Sequence, residues 1–108
     1  MNKTILMGRL TKDMDIAFSK TTGNAFGQTT IAVNRPYANK EGQTEADFIN
    51  IKAFGKIAET IANHVKKGQR ILIEGTIQTG SYEKDGKRVY TTDVIVQGFQ
   101  FVELKNKD

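Results

Sequence analysis

The residues best suited to chemistry lie in the stretch Asp47-Phe48-Ile49-Asn50-Ile51-Lys52-Ala53-Phe54. Successive side chains of a strand alternate sides, so Ile49, Ile51 and Ala53 share one face while Phe48, Asn50, Lys52 and Phe54 share the other. The first face reads as core. The second holds an ammonium that a dry interior would bury without an evident partner, set between two flat apolar rings. That mixture suits bases stacked on Phe48 and Phe54 with Lys52 beside a phosphate, the chemistry of a single-strand nucleic-acid groove. A plainer reading packs both rings under a neighbouring hairpin and lets Lys52 reach water along its aliphatic stem. The strand alone does not separate the two.

Further cations could track a phosphate backbone around such a face: Arg9, Arg35, Lys56, Lys84, Lys87 and Arg88, with Tyr37 and Lys40 in the same loop region as Arg35. Catalytic chemistry finds little support. There is no phosphate-binding P-loop, no zincin pair and no serine elbow, and Asp13 and Asp15 have no third acid close by to hold a divalent ion. With no Cys and His64 as the single histidine, neither a thiolate site nor a histidine cluster can form. The expectation is a binding protein, not an enzyme, with no metal and no cofactor.

The elements that must position these residues read mainly as strands. Lys3 to Leu10 opens the chain, with Gly8 marking a bend or a close backbone approach. Ile16 to Phe18 is a short strand, and Ala25 to Arg35 a long one rich in Thr, Ile and Val. Beyond Pro36 the polar run from Ala38 to Asp47 reads as a loop. Gly55 closes the central strand. Lys56 to Lys67 carries Ile57, Ala58, Ile61, Ala62 and Val65 at helical spacing, with Lys66 and Lys67 at its negative end and Gly68 as a left-handed cap.

Arg70 to Thr79 is again a strand, and Asp85-Gly86 supplies a two-residue hairpin turn. That turn pairs Lys84 with Lys87, Glu83 with Arg88, Tyr82 with Val89 and Ile77 with Val94. It places Ile77, Val94 and Val96 on a core face and Tyr82 on the opposite one. Five main strands with one helix between the third and fourth give an all-β fold of the OB type, a five-stranded Greek-key barrel.

A length of 108 residues allows one domain, read as 1–104 with a short solvated C-terminus at 105–108. The formal charge of +4 is a modest excess that leans towards nucleic acid. The opening Met-Asn-Lys-Thr-Ile-Leu-Met is too short an apolar run for a signal peptide or a membrane span, which points to a soluble cytoplasmic protein.

Read together, Asn2 to Leu10 with Thr11-Lys12-Asp13, Ile31-Ala32-Val33-Asn34-Arg35, Asp47-Phe48-Ile49-Asn50 leading to Phe54-Gly55-Lys56, Lys67-Gly68 before Ile73-Glu74-Gly75, and Tyr90-Thr91-Thr92 follow a specific order. In that order the chain resembles the bacterial and bacteriophage single-stranded DNA-binding proteins. The resemblance implies single-stranded DNA wrapped over an OB-fold during replication, recombination and repair, in a bacterial nucleoid or phage-infected cell. It places stacking aromatics at Phe48, Phe54 and Tyr82, with Tyr37 as a looser fourth. It also implies a homotetramer with Thr4 to Met7 at a subunit contact.

Two departures stand out. The stackers are Phe and Tyr, with no Trp in the chain. The sequence ends with Lys105, Lys107 and Asp108 where the family usually continues into a linker and an acidic tip. That reads as a tail-less member or a chain trimmed to its core, and puts recruitment of replication and repair proteins in doubt. The nearest alternative is a primosomal replication-restart accessory protein of the same fold. An OB-fold domain that binds protein or oligosaccharide is a further one.

Overall fold

The computed structural model describes residues 1–102, so the boundary at 104 and the short terminus 105–108 lie outside the described residues. The elements are β1 (Thr4–Leu10), β2 (Asp15–Phe18), β3 (Ala25–Ala38), β4 (Thr44–Phe54), α1 (Gly55–His64), β5 (Arg70–Lys84) and β6 (Lys87–Phe101). The strands neighbour one another in the order β1-β5-β6-β4-β3-β2, and β1 also pairs with β3. That extra pairing closes the five long strands into a barrel. The short β2 extends the sheet beyond β3. Every pairing is antiparallel except that of β4 with β6, which is parallel and sits where the chain crosses over by way of α1 and β5. This is the Greek-key OB-fold.

Parity builds the core. Ile51 and Ala53 from β4, Ile31 from β3, Ile71 and Ile73 from β5, and Val94 and Val96 from β6 are all buried. The helix adds Ala58 and Ile61, with Val65 just after it, and caps one end of the barrel. Gly8 fulfils the close approach read from sequence: a Cβ there would lie 2.6 Å from the backbone oxygen of Ala32, where β1 meets β3. A side chain would wedge the barrel open at its closure.

Three sequence expectations need correction. The stretch from Ala38 to Asp47 is not all loop, because β3 continues through Pro36 and Tyr37 to Ala38 and β4 resumes at Thr44. Pro36 and the pairing irregularity between Asn34 and Ala38 disguise those arms as loop. A tight turn joins them, in which Asn39 Oδ1 accepts from the backbone N–H groups of Glu41 and Gln43.

The helix ends at His64 rather than Lys67. Gly68 does take a positive φ of 87°, but in a turn beyond the helix where Asp13 Oδ1 accepts from Lys67 N–H and Gln69 Oε1 from Lys66 N–H. Lys66 does serve the helix end, donating from Nζ to the carbonyl of Ala62 at 2.8 Å. Ile77 pairs with Val94 as expected, yet it is exposed. There β5 has run past the rim of the barrel. The Asn2 side chain holds the Ile77 backbone, donating to its oxygen and accepting from its N–H.

Candidate nucleic-acid interface

The outer face of β4 is set by its antiparallel register with β3, which pairs Phe26 with Phe54, Gln28 with Lys52, Thr30 with Asn50 and Ala32 with Phe48. Directly paired residues point to the same side. Two strands therefore present one strip: rings at one end, amide, hydroxyl and ammonium groups in the middle, and a ring at the other. Phe48 is 69% exposed and Phe54 52% exposed. The alternative in which both rings pack under a hairpin is not what the fold adopts. Phe54 instead lies against Phe26, with ring centroids 5.1 Å apart and planes 25° from parallel.

The β5–β6 hairpin forms the opposite wall. Its turn is the tight one read from Asp85-Gly86, both with positive φ, and the pairings of Lys84 with Lys87, Glu83 with Arg88 and Tyr82 with Val89 hold. Tyr82, half exposed, lines a groove of about 550 Å³ together with Gln28, Thr30, Asn50, Lys52 and Asp93. The central strip of β3 and β4 and the ring of Tyr82 thus face a common space.

The cations divide by what already holds them. Lys52 Nζ lies 3.4 Å from Asp93 Oδ2. Arg88 donates to Ser81 Oγ at 3.0 Å and sits 3.7 Å from Glu83. Lys56, at the start of α1 next to Phe54, and Lys84 and Lys87, at the hairpin tip, have no ion-pair partner among the described residues. Arg9 donates to the carbonyl of Gly68. Its register opposite Ala32, which is itself opposite Phe48, sets it on the flank of that ring.

Arg35 is the most committed cation. Its guanidinium bonds Asp47 through Nε and Nη2 and reaches Glu45 at 2.8 Å. The hydrogen bond and charge of Asp47 raise the Arg35 pKa, and the same bond from Arg35 lowers that of Asp47. This triad ties the two arms of the β3–β4 hairpin together, so a phosphate at Arg35 would compete with two carboxylates. Tyr37 is exposed on the same arm.

Sequence reasoning passed over Phe26, Gln28, Thr30 and Asp93. Parity within Ala25 to Arg35 already put Phe26, Gln28 and Thr30 on one face. What sequence lacked was the register that sets them against Phe54, Lys52 and Asn50.

The chain matches the model of the Single-strand binding protein family over residues 1–102. It is 49% identical over 107 residues to a single-stranded DNA-binding protein of Clostridium perfringens, covering 98% of this chain and 69% of that protein. The corresponding protein of Bacillus cereus is also 49% identical over 107 residues, with 98% of this chain and 62% of the relative covered. Single-stranded DNA-binding protein 2 of Listeria monocytogenes is 46% identical over 109 residues, covering 100% of this chain and 68% of the relative. The chain therefore spans about two thirds of the length of these relatives. Among solved structures, the Plasmodium falciparum SSB complex with ssDNA superposes with a TM-score of 0.84, covering 95% of this chain and 96% of that one. At 20% identity that likeness is one of fold.

Proposed function

The chain belongs to the single-strand binding protein family, and from that premise we propose that it binds single-stranded DNA along the outer strip of β3 and β4 and under the β5–β6 hairpin. The observation that carries this reading is the exposure of Phe48 and Phe54 on a barrel whose core is already filled. Two large rings at the ends of a polar strip keep half or more of their surface in water, more than packing requires. They suit bases, which stack on aromatic faces without regard to sequence. Six steps along the strand separate them, about 20 Å at the usual rise, which is room for several nucleotides.

Phe48, Phe54 and Tyr82 supply stacking, with Tyr37 extending the path along the hairpin arm. Lys52, Lys56, Lys84, Lys87, Arg88 and Arg9 supply phosphate contacts. Arg35 acts first as the strut between β3 and β4, because Asp47 and Glu45 already occupy it. Binding of this kind protects single strands during replication, recombination and repair, and needs no catalytic group.

Titration with oligo(dT), oligo(rU) and duplex DNA at several salt concentrations tests the function. Oligo(dT) should bind far more tightly than duplex. Its log K should fall with log salt by about 0.7 per neutralised phosphate, or about 3 for four contacts. A flat salt response, or equal affinity for duplex, would overturn the reading.

The assembly proposed is a homotetramer. Ile5 and Met7 point outward from β1 and are 61% and 49% exposed, and Leu72 lies opposite Met7 on β5. An apolar strip of this kind favours a second copy as cover. Sedimentation at micromolar concentration should give four chains, and a monomer would contradict it.

A further inference from the structure

Asp93 is the one carboxylate lining the groove among the described residues. Its side chain is only 11% exposed, and its one ion-pair partner among the described residues is Lys52, itself 34% exposed, at 3.4 Å. That separation is long for a charge-assisted hydrogen bond, which is usually below about 3 Å. The register fixes the carboxylate in place, beside Asn50 of β4 and opposite Gln78 of β5. A carboxylate mostly covered by protein therefore lines the groove with one long contact to Lys52, and what remains open of its roughly four acceptor positions is turned to the groove.

Such a group is out of place in a groove that only neutralises phosphates. Resting on the proposed binding of single-stranded DNA, we infer that Asp93 and Lys52 form a subsite that reads the amino-bearing edge of a base. When a strand fills the groove it displaces water, and the carboxylate must then find donors on the ligand or stay unsatisfied. Phosphate oxygens bring none and are repelled, so the backbone is kept to the rim and a base edge turned inward. Cytosine N4, adenine N6 and guanine N2 do bring donors, and acidic side chains accept from such groups. Each of these bases also has an acceptor beside its amino group, which one N–H of the Lys52 ammonium can serve while another reaches a phosphate at the rim. Thymine offers one N–H, at N3, beside O4, but its second carbonyl oxygen, O2, then faces the carboxylate and is repelled. The subsite gives a protein of broad tolerance a local bias against thymine.

The test compares affinities of the full chain for oligo(dC) and oligo(dT) of equal length, in mildly alkaline buffer where both stay single-stranded. It uses the wild-type chain and Asp93→Asn. A second comparison, on wild type, replaces cytosine by pyrimidin-2-one, which lacks the amino group. Stacking and phosphate contacts largely cancel in each ratio. Asp93→Asn should lower the dC-to-dT affinity ratio by about tenfold or more, the lower range for a hydrogen bond to a charged group. Removing the amino group should weaken wild-type binding by a similar factor. If Asp93→Asn does not fold, the pyrimidin-2-one comparison decides by itself. An unchanged ratio in either comparison, with both strands bound, overturns the subsite alone. Failure to bind any single strand overturns the proposed function with it.

Discussion

Replacing Phe48 and Phe54 by alanine, one at a time, separates binding from stability. Phe54 is 52% exposed and stacked on Phe26, so alanine there forfeits about half of a full Phe burial plus the ring pair. Full burial of such a side chain contributes about 1.5–3 kcal/mol and an aromatic pair about 0.5–1.5, which gives a cost of about 2 kcal/mol. Phe48 is 69% exposed and stands in no ring pair among the described residues, which puts its cost nearer 1 kcal/mol. For a domain of this size each kcal/mol lowers Tm by about 4–8 °C. Phe54→Ala should therefore melt about 8–16 °C early and Phe48→Ala only about 4–8 °C early. Oligo(dT) affinity should fall roughly 5-fold to 150-fold in each, the effect of about 1–3 kcal/mol of lost stacking. Phe48→Trp should bind nearly as well as wild type. Thermal melts and fluorescence anisotropy with a labelled oligo(dT) give the two numbers. A folded Phe48→Ala with unchanged affinity would refute stacking at that ring, and a melting point lowered by more than about 20 °C would mean that the ring is core after all.

Two further predictions concern the scaffold. Gly8→Ala places a Cβ against the backbone of Ala32, so it should cost about 1–3 kcal/mol and lower Tm by about 4–24 °C, read in a thermal melt. Asp47 should titrate by NMR below the ordinary aspartate value of about 3.9 and return to it in Arg35→Ala. Because the folded-state pKa is the lowered one, the contribution of the pair is present above the unfolded value. It is lost as pH falls through the folded one. The hairpin should therefore keep this tie throughout the neutral range.

Local rules made much of this architecture legible. Alternation alone divided β4 into its core and outer faces, because Ile51 and Ala53 against Phe48 and Phe54 is a contrast that only a two-residue period explains. Asp85-Gly86 fixed the β5–β6 register because a two-residue turn leaves the strands one way to pair. Where two local signals conflicted the reading failed. Pro36 argued for a loop, yet the strand passes through it. Lys66 and Lys67 favour a helix, yet Asp13 and Gln69 draw their backbone into a turn.

Non-local geometry was out of reach. The parallel pairing that sets Asp93 beside Asn50 joins strands separated by α1 and β5, and no turn residue encodes it. Phe26 against Phe54 was hidden differently, by the pairing irregularity between Asn34 and Ala38 that breaks the count back from the β3–β4 turn. The salt bridges of Arg35 were hidden for a simpler reason, since its partners sit on the far arm of a hairpin whose arms were read as loop.

The central claim, that single-stranded DNA lies on the outer strip of β3 and β4 and beneath the β5–β6 hairpin, is tested most directly by photo-crosslinking. Oligo(dT) carrying 5-iododeoxyuridine is irradiated in complex with the protein, and the attachment sites are mapped by mass spectrometry. Adducts are expected at Phe48, Phe54 and Tyr82. Adducts confined to exposed rings away from the strip, such as Phe18 on β2 or Phe101 at the end of β6, would contradict it.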